Sequence, residues 1–466
     1  MVRGLITVAL LALTAIAAPA AGAATHQLYI SPRGSDDAAG TASRPLRTVG
    51  AAWQRVPRGA SGNWHLHLAP GDYRSGAPIY WDERSGSITI EASGVRGSAV
   101  LPAINAFGMR GFKLIGLKLI DGGDVFHCEQ CNGVLLSRMI LRGRGAQETI
   151  KINQSSNVTV ADSDVAGAGD NAFDAVAVNH LRLLRNHFHS AEDWCAYAKG
   201  GSADVIVRGN LFTDCGTGGF TAGQGTGFQF MSWPFVHYEA TGVLVEGNTV
   251  RHVEGAAFGV NGGANVLIRN NLASRVGSRS HVLEVTYGGR SCDGAPGGDG
   301  WSRCGEYLAR GGWGNWLVGD GNNYVRIPNR NVLIYDNLIA NPDAQASRWQ
   351  VFEVPGPPEA KYEASIPFAA HADTGLHIVG NVVWDGGPGH ELGLGGASCL
   401  PASTCSAASV IANNSINRRR PAVRLLPDGR LIRTGWASAL SNHSPPAPDS
   451  LARIGSEPTV WSSWPN

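Results

Sequence analysis

The sequence predicts an all-β chain wound as a right-handed parallel β-helix, a solenoid of about ten or more coils with an N-terminal capping helix and long loop inserts. Two observations predict it: a strand–turn–strand template that recurs along the chain, and a composition suited to turns. Gly occurs 62 times in 466 residues without a collagen period, and only 16% of residues are charged. Such a balance fits short stacked strands better than amphipathic helices.

The template is legible in "GVLLSRMILRG", "NVTVADSDVAG", "HLRLLRNHFHS" and "DVIVRGNLFTD". An apolar-x-apolar strand is followed by a polar pair, usually ending in Asn, and then by a second apolar strand. With the first apolar residue as reference, Phe112, Val134, Val158, Leu181 and Val205 follow at steps of 22, 24, 23 and 24 residues. Val243, Val266, Val332, Leu376 and Val410 continue the series, Val266 at the regular step from Val243 and the others at longer intervals that carry insertions. A period of this length built from strands is one coil of a solenoid, and the leucine framework and helical half of a leucine-rich repeat are missing. The recurring Asn is expected to serve the bend between strands, because it tolerates a left-handed backbone and can stack on its neighbours.

A solenoid needs its first edge covered. "SRPLRTVGAAWQRV" predicts the covering helix, with Ser43 as N-cap, Pro45 in the first turn, and Leu46, Val49, Ala52, Trp53 and Val56 on one face. Before it, an apolar run from Leu5 to about Ala18 with small residues at Ala21 and Ala23 reads as a signal peptide. That run is shorter than the roughly 20 residues a membrane span needs, so a secreted or periplasmic protein with no membrane span is expected. The chain then divides into 1–24 signal peptide, 25–108 cap and first coils, 109–420 β-helix with inserts near 287–324 and 343–373, and 421–466 closing segment.

The eight cysteines fall into neighbouring pairs: Cys128 with Cys131, Cys195 with Cys215, Cys292 with Cys304, and Cys399 with Cys405. In an exported chain these are expected to be disulfides rather than a zinc site, since only one pair has CxxC form. The net charge of +1 provides no field for nucleic acid. The expected partner is an acidic polysaccharide, bound by a monomer.

Residues at equal offsets on successive coils stack about 4.8 Å apart. Counting back six or seven residues from the reference position gives a polar row of His127, Lys151, Asp174, Lys199, His237 and Arg326. Acidic residues gather beside it: Glu148 before Lys151, Asp170 before Asp174, and Glu192 with Asp193 before Lys199. Carboxylates from adjacent coils could cage a hard cation such as Ca²⁺, or could simply cap turn amides. Lys199, in "DWCAYAKGG" among Trp194, Tyr197 and small residues, is the candidate base, with Lys151 as its cationic neighbour. Arg279, His281, Glu284 and Arg290 in the first insert, and His237, are candidates for binding a charged glycan or for ordinary loop contacts. Trp233, Trp301, Trp313 and Trp316 could stack on sugars or pack the inserts.

"DNAFD" at Asp170–Asp174, followed one coil later by "YAKGG", resembles the calcium-and-lysine pattern of family 9 polysaccharide lyases, which are pectate-lyase-like β-helices. The resemblance implies Asp170, Asn171, Asp174 and Glu148 as calcium ligands and Lys199 as base. "EDWCAYAKGG" is also similar to family 6 lyases, in which a glutamate precedes the lysine by seven residues, as Glu192 precedes Lys199. Asn171 stands where family 9 has aspartate, and Thr221 and Gln224 stand near the place of the family 6 arginine. Both resemblances imply β-elimination on a uronic-acid-containing glycan. A glycoside hydrolase with paired carboxylates, a C5-epimerase and a non-catalytic carbohydrate-binding solenoid remain the alternatives, although the Asp-Pro-His signature of alginate epimerases does not occur.

Overall fold

A computed structural model describes residues 25–58, 62–75, 79–81, 86–145, 147–292, 297–315, 325–358 and 365–433. The segment read as a signal peptide, and Trp316, lie outside the described residues.

The chain is a right-handed parallel β-helix with three long sheets. Sheet I has ten strands and runs from Ile79–Trp81 to Gln350–Glu353. Sheet II has fourteen and starts at Thr25–Ile30; sheet III has twelve and starts at Gly71–Asp72. One coil shows the path. Asn132–Ser137 lies in sheet II, Ile140–Arg142 in sheet III and Ile150–Asn153 in sheet I, after which Ser156–Ala161 re-enters sheet II one coil on. The reference residues Val134, Val158, Leu181, Val205, Val243, Val266 and Val332 are direct partners in sheet II and are buried, so the repeat read from the sequence is the coil.

The recurring Asn has one of the two roles expected of it. Asn186, Asn210, Asn248, Asn271, Asn337, Asn381 and Asn414 are buried between sheets II and III. Each side-chain oxygen accepts the backbone N–H and the carboxamide of the Asn one coil earlier, at 2.8–3.1 Å from Asn210 onward. The left-handed backbone belongs to the preceding residue instead: Arg185, Gly209, Gly247, Asn270, Asp336 and Gly380 have φ of 54–71°. Ser163 starts the ladder by donating its backbone N–H to Asn186 Oδ1 at 3.0 Å.

All four cysteine pairs are joined as disulfides, and no described cysteine is free. Among the described residues no helix is long and apolar enough to cross a membrane.

Three local expectations are corrected. The N-terminal helix is Val49–Gln54, capped by Thr48, whose hydroxyl accepts the Ala51 N–H at 3.1 Å. It starts later than Ser43 predicts because Leu46 is extended against the first strand, its N–H donating to Tyr29 O at 2.9 Å, and Asp36 holds the Arg47 and Thr48 amides. The apolar face is as expected: Leu46, Val49, Ala52, Trp53 and Val56 are buried. Val410 lies in a helix, Ala407–Asn413, and not in a strand. In that segment the chain satisfies its backbone internally, and Asn414 then closes the ladder. The insert read over 343–373 contains a regular sheet I strand, Gln350–Glu353, partnered by His281, Leu283 and Glu284.

The Asn ladder makes a stability prediction. Removing Asn248 leaves the buried Asn210 N–H and the Val207 carbonyl without partners. Asn248→Ala should therefore cost about 1–3 kcal/mol, read as a lower denaturation midpoint, whereas the exposed Asn132→Ala, outside this ladder, should leave it nearly unchanged.

Candidate active site

The outward face of sheet I carries the polar groups. Ile150, Ile152, Phe173, Ala175, Ala196 and Ala198 point into the core, so the alternating positions point out. Register places His127, Lys151, Asp174, Tyr197, Thr221, Gly259 and Glu284 in one row across seven coils. Two residues along each strand, a second row holds Glu129, Asn153, Val176 and Lys199.

Lys199 therefore does not share a row with Lys151 and Asp174; Tyr197 takes that place. The cause is one extra residue in the turn after Lys199. From Val176 to its reference Leu181 there are five steps, and from Lys199 to Val205 there are six. Gly200 and Gly201 absorb the difference with φ of 66° and 83°. A Cβ on Gly201 would stand 2.1 Å from Phe235 O, so the glycines of "KGG" are demanded by the turn and by the insert packed on it.

The charges interlock around Asp174. Lys151 Nζ is 3.1 Å from Glu148 Oε1 and 3.7 Å from Asp174 Oδ2. Burial pushes the Asp174 carboxyl up to about 7, against the pull of Lys199 and Lys151 and with the help of Glu148, with which it shares a hydrogen bond. Glu148 moves the other way: despite its burial, Lys151 holds it below the usual carboxylate range. Burial also tends to deprotonate Lys151, but Asp174 and Glu148 outweigh it and keep that side chain an ammonium. Burial, Asp174 and Glu148 hold the Tyr197 hydroxyl well above the ordinary phenol range. Lys199 Nζ sits 4.4 Å over the Tyr197 ring and donates to the neutral Gln224 carboxamide at 3.0 Å. Among the described residues it forms no ion pair. A pocket of about 350 Å³ opens beside Gln224, lined also by Thr226, Asn261, Tyr287 and Ser291.

The carboxylates read as calcium ligands do not form a cage. Asn171 Oδ1 accepts the Trp194 N–H at 3.1 Å, while its nitrogen donates to Asp170 at 2.8 Å and to the Tyr197 hydroxyl at 3.2 Å, so the carboxamide is engaged. The Lys151 ammonium stands between Glu148 and Asp174. Among the described residues, the His, Cys, Asp and Glu groups whose ligand atoms lie within 4.8 Å of one another are elsewhere in the fold. Asp124 Oδ1 and Asp174 Oδ1 are buried beside the Lys151 ammonium without a hydrogen-bond partner.

The candidates outside sheet I divide. Arg290 is fully buried, its guanidinium paired with the equally buried Glu239 and donating to the Val236, His237 and Trp313 carbonyls, which removes it from substrate binding. Glu239 Oε2 in turn accepts the Gly200 N–H at 3.0 Å and the Thr226 hydroxyl at 2.5 Å. His237 is in the segment that links the strands Gly225–Gly227 and Ala240–Glu246, with Nε2 against Gly311 O at 3.0 Å and its ring on Trp313, and Arg326 is on a side strand paired with Gly289; neither continues the row. His281 is on sheet I but buried, 2.6 Å from Glu284. Arg279 remains at the surface, bonded to Thr217 at 2.9 Å. Trp301 and Trp313 pack the inserts; Trp233 is 45% exposed under Arg310. Asp124 was not among the sequence candidates. It is pushed up to about 6 by burial and by Glu148, and subtracting one coil from Glu148 would have found it.

Residues 79–233 match the family model described as right handed beta helix region. A search of curated proteins found no match. Solved structures that resemble the chain include the A-module of Azotobacter vinelandii mannuronan C-5 epimerase AlgE6, at 14% identity over 73% of this chain and 91% of that one with a TM-score of 0.40. A rhamnogalacturonan lyase matches at 11% identity over 92% and 98% with a TM-score of 0.43, and a lacto-N-biosidase from Eubacterium ramulus at 11% over 77% and 68% with a TM-score of 0.39.

The Asp174 carboxyl makes a pH prediction. Its folded value of about 7 lies above the roughly 3.9 of an unfolded aspartate. Its contribution to stability is thus complete below that lower value and is lost as pH rises through about 7. Thermal unfolding between pH 5 and 9 should show the loss in the wild type, and Asp174→Asn should flatten it.

Proposed function

We propose that the protein is a polysaccharide lyase that cleaves a uronic-acid-containing glycan by β-elimination on the outward face of sheet I. The observation that carries this reading is Lys199: a lysine bonded to the neutral carboxamide of Gln224, which lines a pocket, and one row away from a lysine fixed as a cation.

In this reading Lys199 takes the proton from C5, next to the substrate carboxylate. The electron pair left behind forms the C4–C5 double bond, and the C4–O bond to the neighbouring sugar breaks. The departing oxygen needs a proton, and the pair of Asp174 and Tyr197 supports this step because burial makes both hold a proton more tightly than an exposed carboxyl or phenol would. Negative charge grows on the substrate carboxylate as C5 loses its proton, and a preorganised cation lowers that barrier. Lys151 supplies the cation here, taking the place that the sequence resemblance gave to calcium.

A second reading, hydrolysis, is favoured by one observation: adjacent Glu148 and Asp174 have their carboxyls pushed in opposite directions, the pattern of an acid–base pair.

The test is a panel of uronate polymers followed by the ultraviolet absorbance of unsaturated ends. Lys199→Ala should lower kcat by about 10²–10⁴-fold, the usual contribution of a general base, while Lys151→Arg should retain more activity than Lys151→Met. EDTA should leave the rate unchanged. Full activity in Lys199→Ala would sink the assignment of the base, abolition by EDTA would return calcium to the site, and saturated reducing ends alone would support hydrolysis.

A further inference from the structure

A second chemical constellation lies far from Lys199, on the outward face of sheet II in the first three coils. The strand Asn63–Leu68 reads "NWHLHL", with Leu66 and Leu68 in the core and His65 and His67 on the outer face. Register sets Gln27 opposite His65 on the preceding strand, and Glu91 opposite His67 on the following one. The side chains converge: His65 Nε2 is 3.1 Å from Glu91 Oε2, and His67 Nε2 is 2.5 Å from Gln27 Oε1. The two imidazole rings are 3.9 Å apart, and Tyr29 stacks on His67 at 4.8 Å. Ligand atoms of His65, His67 and Glu91 all lie within 4.8 Å of one another.

We propose that His65, His67 and Glu91 bind a divalent transition-metal ion of the zinc class, with Gln27 Oε1 as an adjacent neutral oxygen donor. Two imidazoles and one carboxylate on a rigid sheet are a donor set that zinc accepts. Hard cations such as calcium prefer all-oxygen sites, which this is not. All three groups are partly open to solvent, with His65 and Glu91 side chains 25% and 30% exposed, so an ion can enter. The cation nearest the carboxylate, Arg138, is 3.4 Å from the other Glu91 oxygen and 56% exposed, free to turn into water. A bound ion would join the strands Thr25–Ile30, Asn63–Leu68 and Ser87–Ala92 across the first three coils. The similar group of Asp164, His187 and His189 is set aside, because its arginine, Arg142, holds the carboxylate more closely, at 2.7 Å, and is less exposed than Arg138.

The test is titration of untagged, EDTA-treated and dialysed protein with Zn²⁺ by calorimetry, with thermal unfolding alongside. One equivalent should bind, and the unfolding midpoint should rise with Zn²⁺ as it does for any ligand selective for the folded state. A His65→Ala/His67→Ala double variant should lose more than about 100-fold in affinity, exceeding the loss usual for a single outer contact, and should lose the midpoint shift. His187→Ala should keep both. Far-UV circular dichroism without zinc checks that the double variant folds, and Glu91→Gln provides a milder variant with the same expected direction. No stoichiometric binding, wild-type affinity in the double variant and in Glu91→Gln, or a loss that follows His187→Ala instead would each overturn the proposal.

Discussion

The buried asparagine ladder is the interaction on which the rest of the structure depends. A stack of parallel coils held only by apolar contact would tolerate sliding, and a slip of one residue would turn every outward side chain inward. The carboxamides from Asn210 to Asn414 prevent this, because each one bonds both the backbone and the side chain of the Asn on the preceding coil. An Asn out of step would leave polar groups buried and unpaired, at a cost comparable to the stability of many small domains when summed over several coils. Register fixed in this way is what sets Lys151, Asp174 and Tyr197 in line on a different sheet, and it makes the outward face of sheet I a rigid platform.

A second polar device, the Glu239–Arg290 pair, couples that platform to its wall. Both side chains are fully buried, and the carboxylate reaches the Gly200 amide and the Thr226 hydroxyl, while the guanidinium gathers carbonyls from the segment around Val236 and His237. Buried pairs are costly to desolvate, and their net stabilisation is small. This one is explained better by position than by stability: it fixes the turn after Lys199 and the edge of the adjoining pocket as one unit, so the lysine does not depend on a mobile loop for its placement.

The coil, the disulfide pairs and the neighbourhood of Lys199 were legible in the sequence because each is encoded locally, in a period, a compartment rule or a short motif. What failed was counting across a variable turn. Even counting puts Lys199 in the row of Lys151, whereas the extra glycine of "KGG" moves it one row along and brings Tyr197 into line. His237, Arg290 and Arg326 fall on inserts, where no repeat frame exists to say which way a side chain points. Val410 matched the strand template by its apolar spacing, yet its segment forms a helix. The opposed ionisation of Glu148 and Asp174 depends on burial and on one ammonium placed between them, neither of which a linear pattern records.

The central claim is that a uronate ring binds with its C5 hydrogen toward Lys199 and its carboxylate toward Lys151. A crystal structure of Lys199→Ala soaked with a uronate oligosaccharide tests it most directly. The account predicts a ring bridging the space between the Tyr197 row and the Gln224 pocket, its carboxylate on Lys151 and its C5–H facing the space left by the missing Lys199 side chain. A sugar bound with its glycosidic oxygen between Glu148 and Asp174, or with its carboxylate away from Lys151, would contradict it.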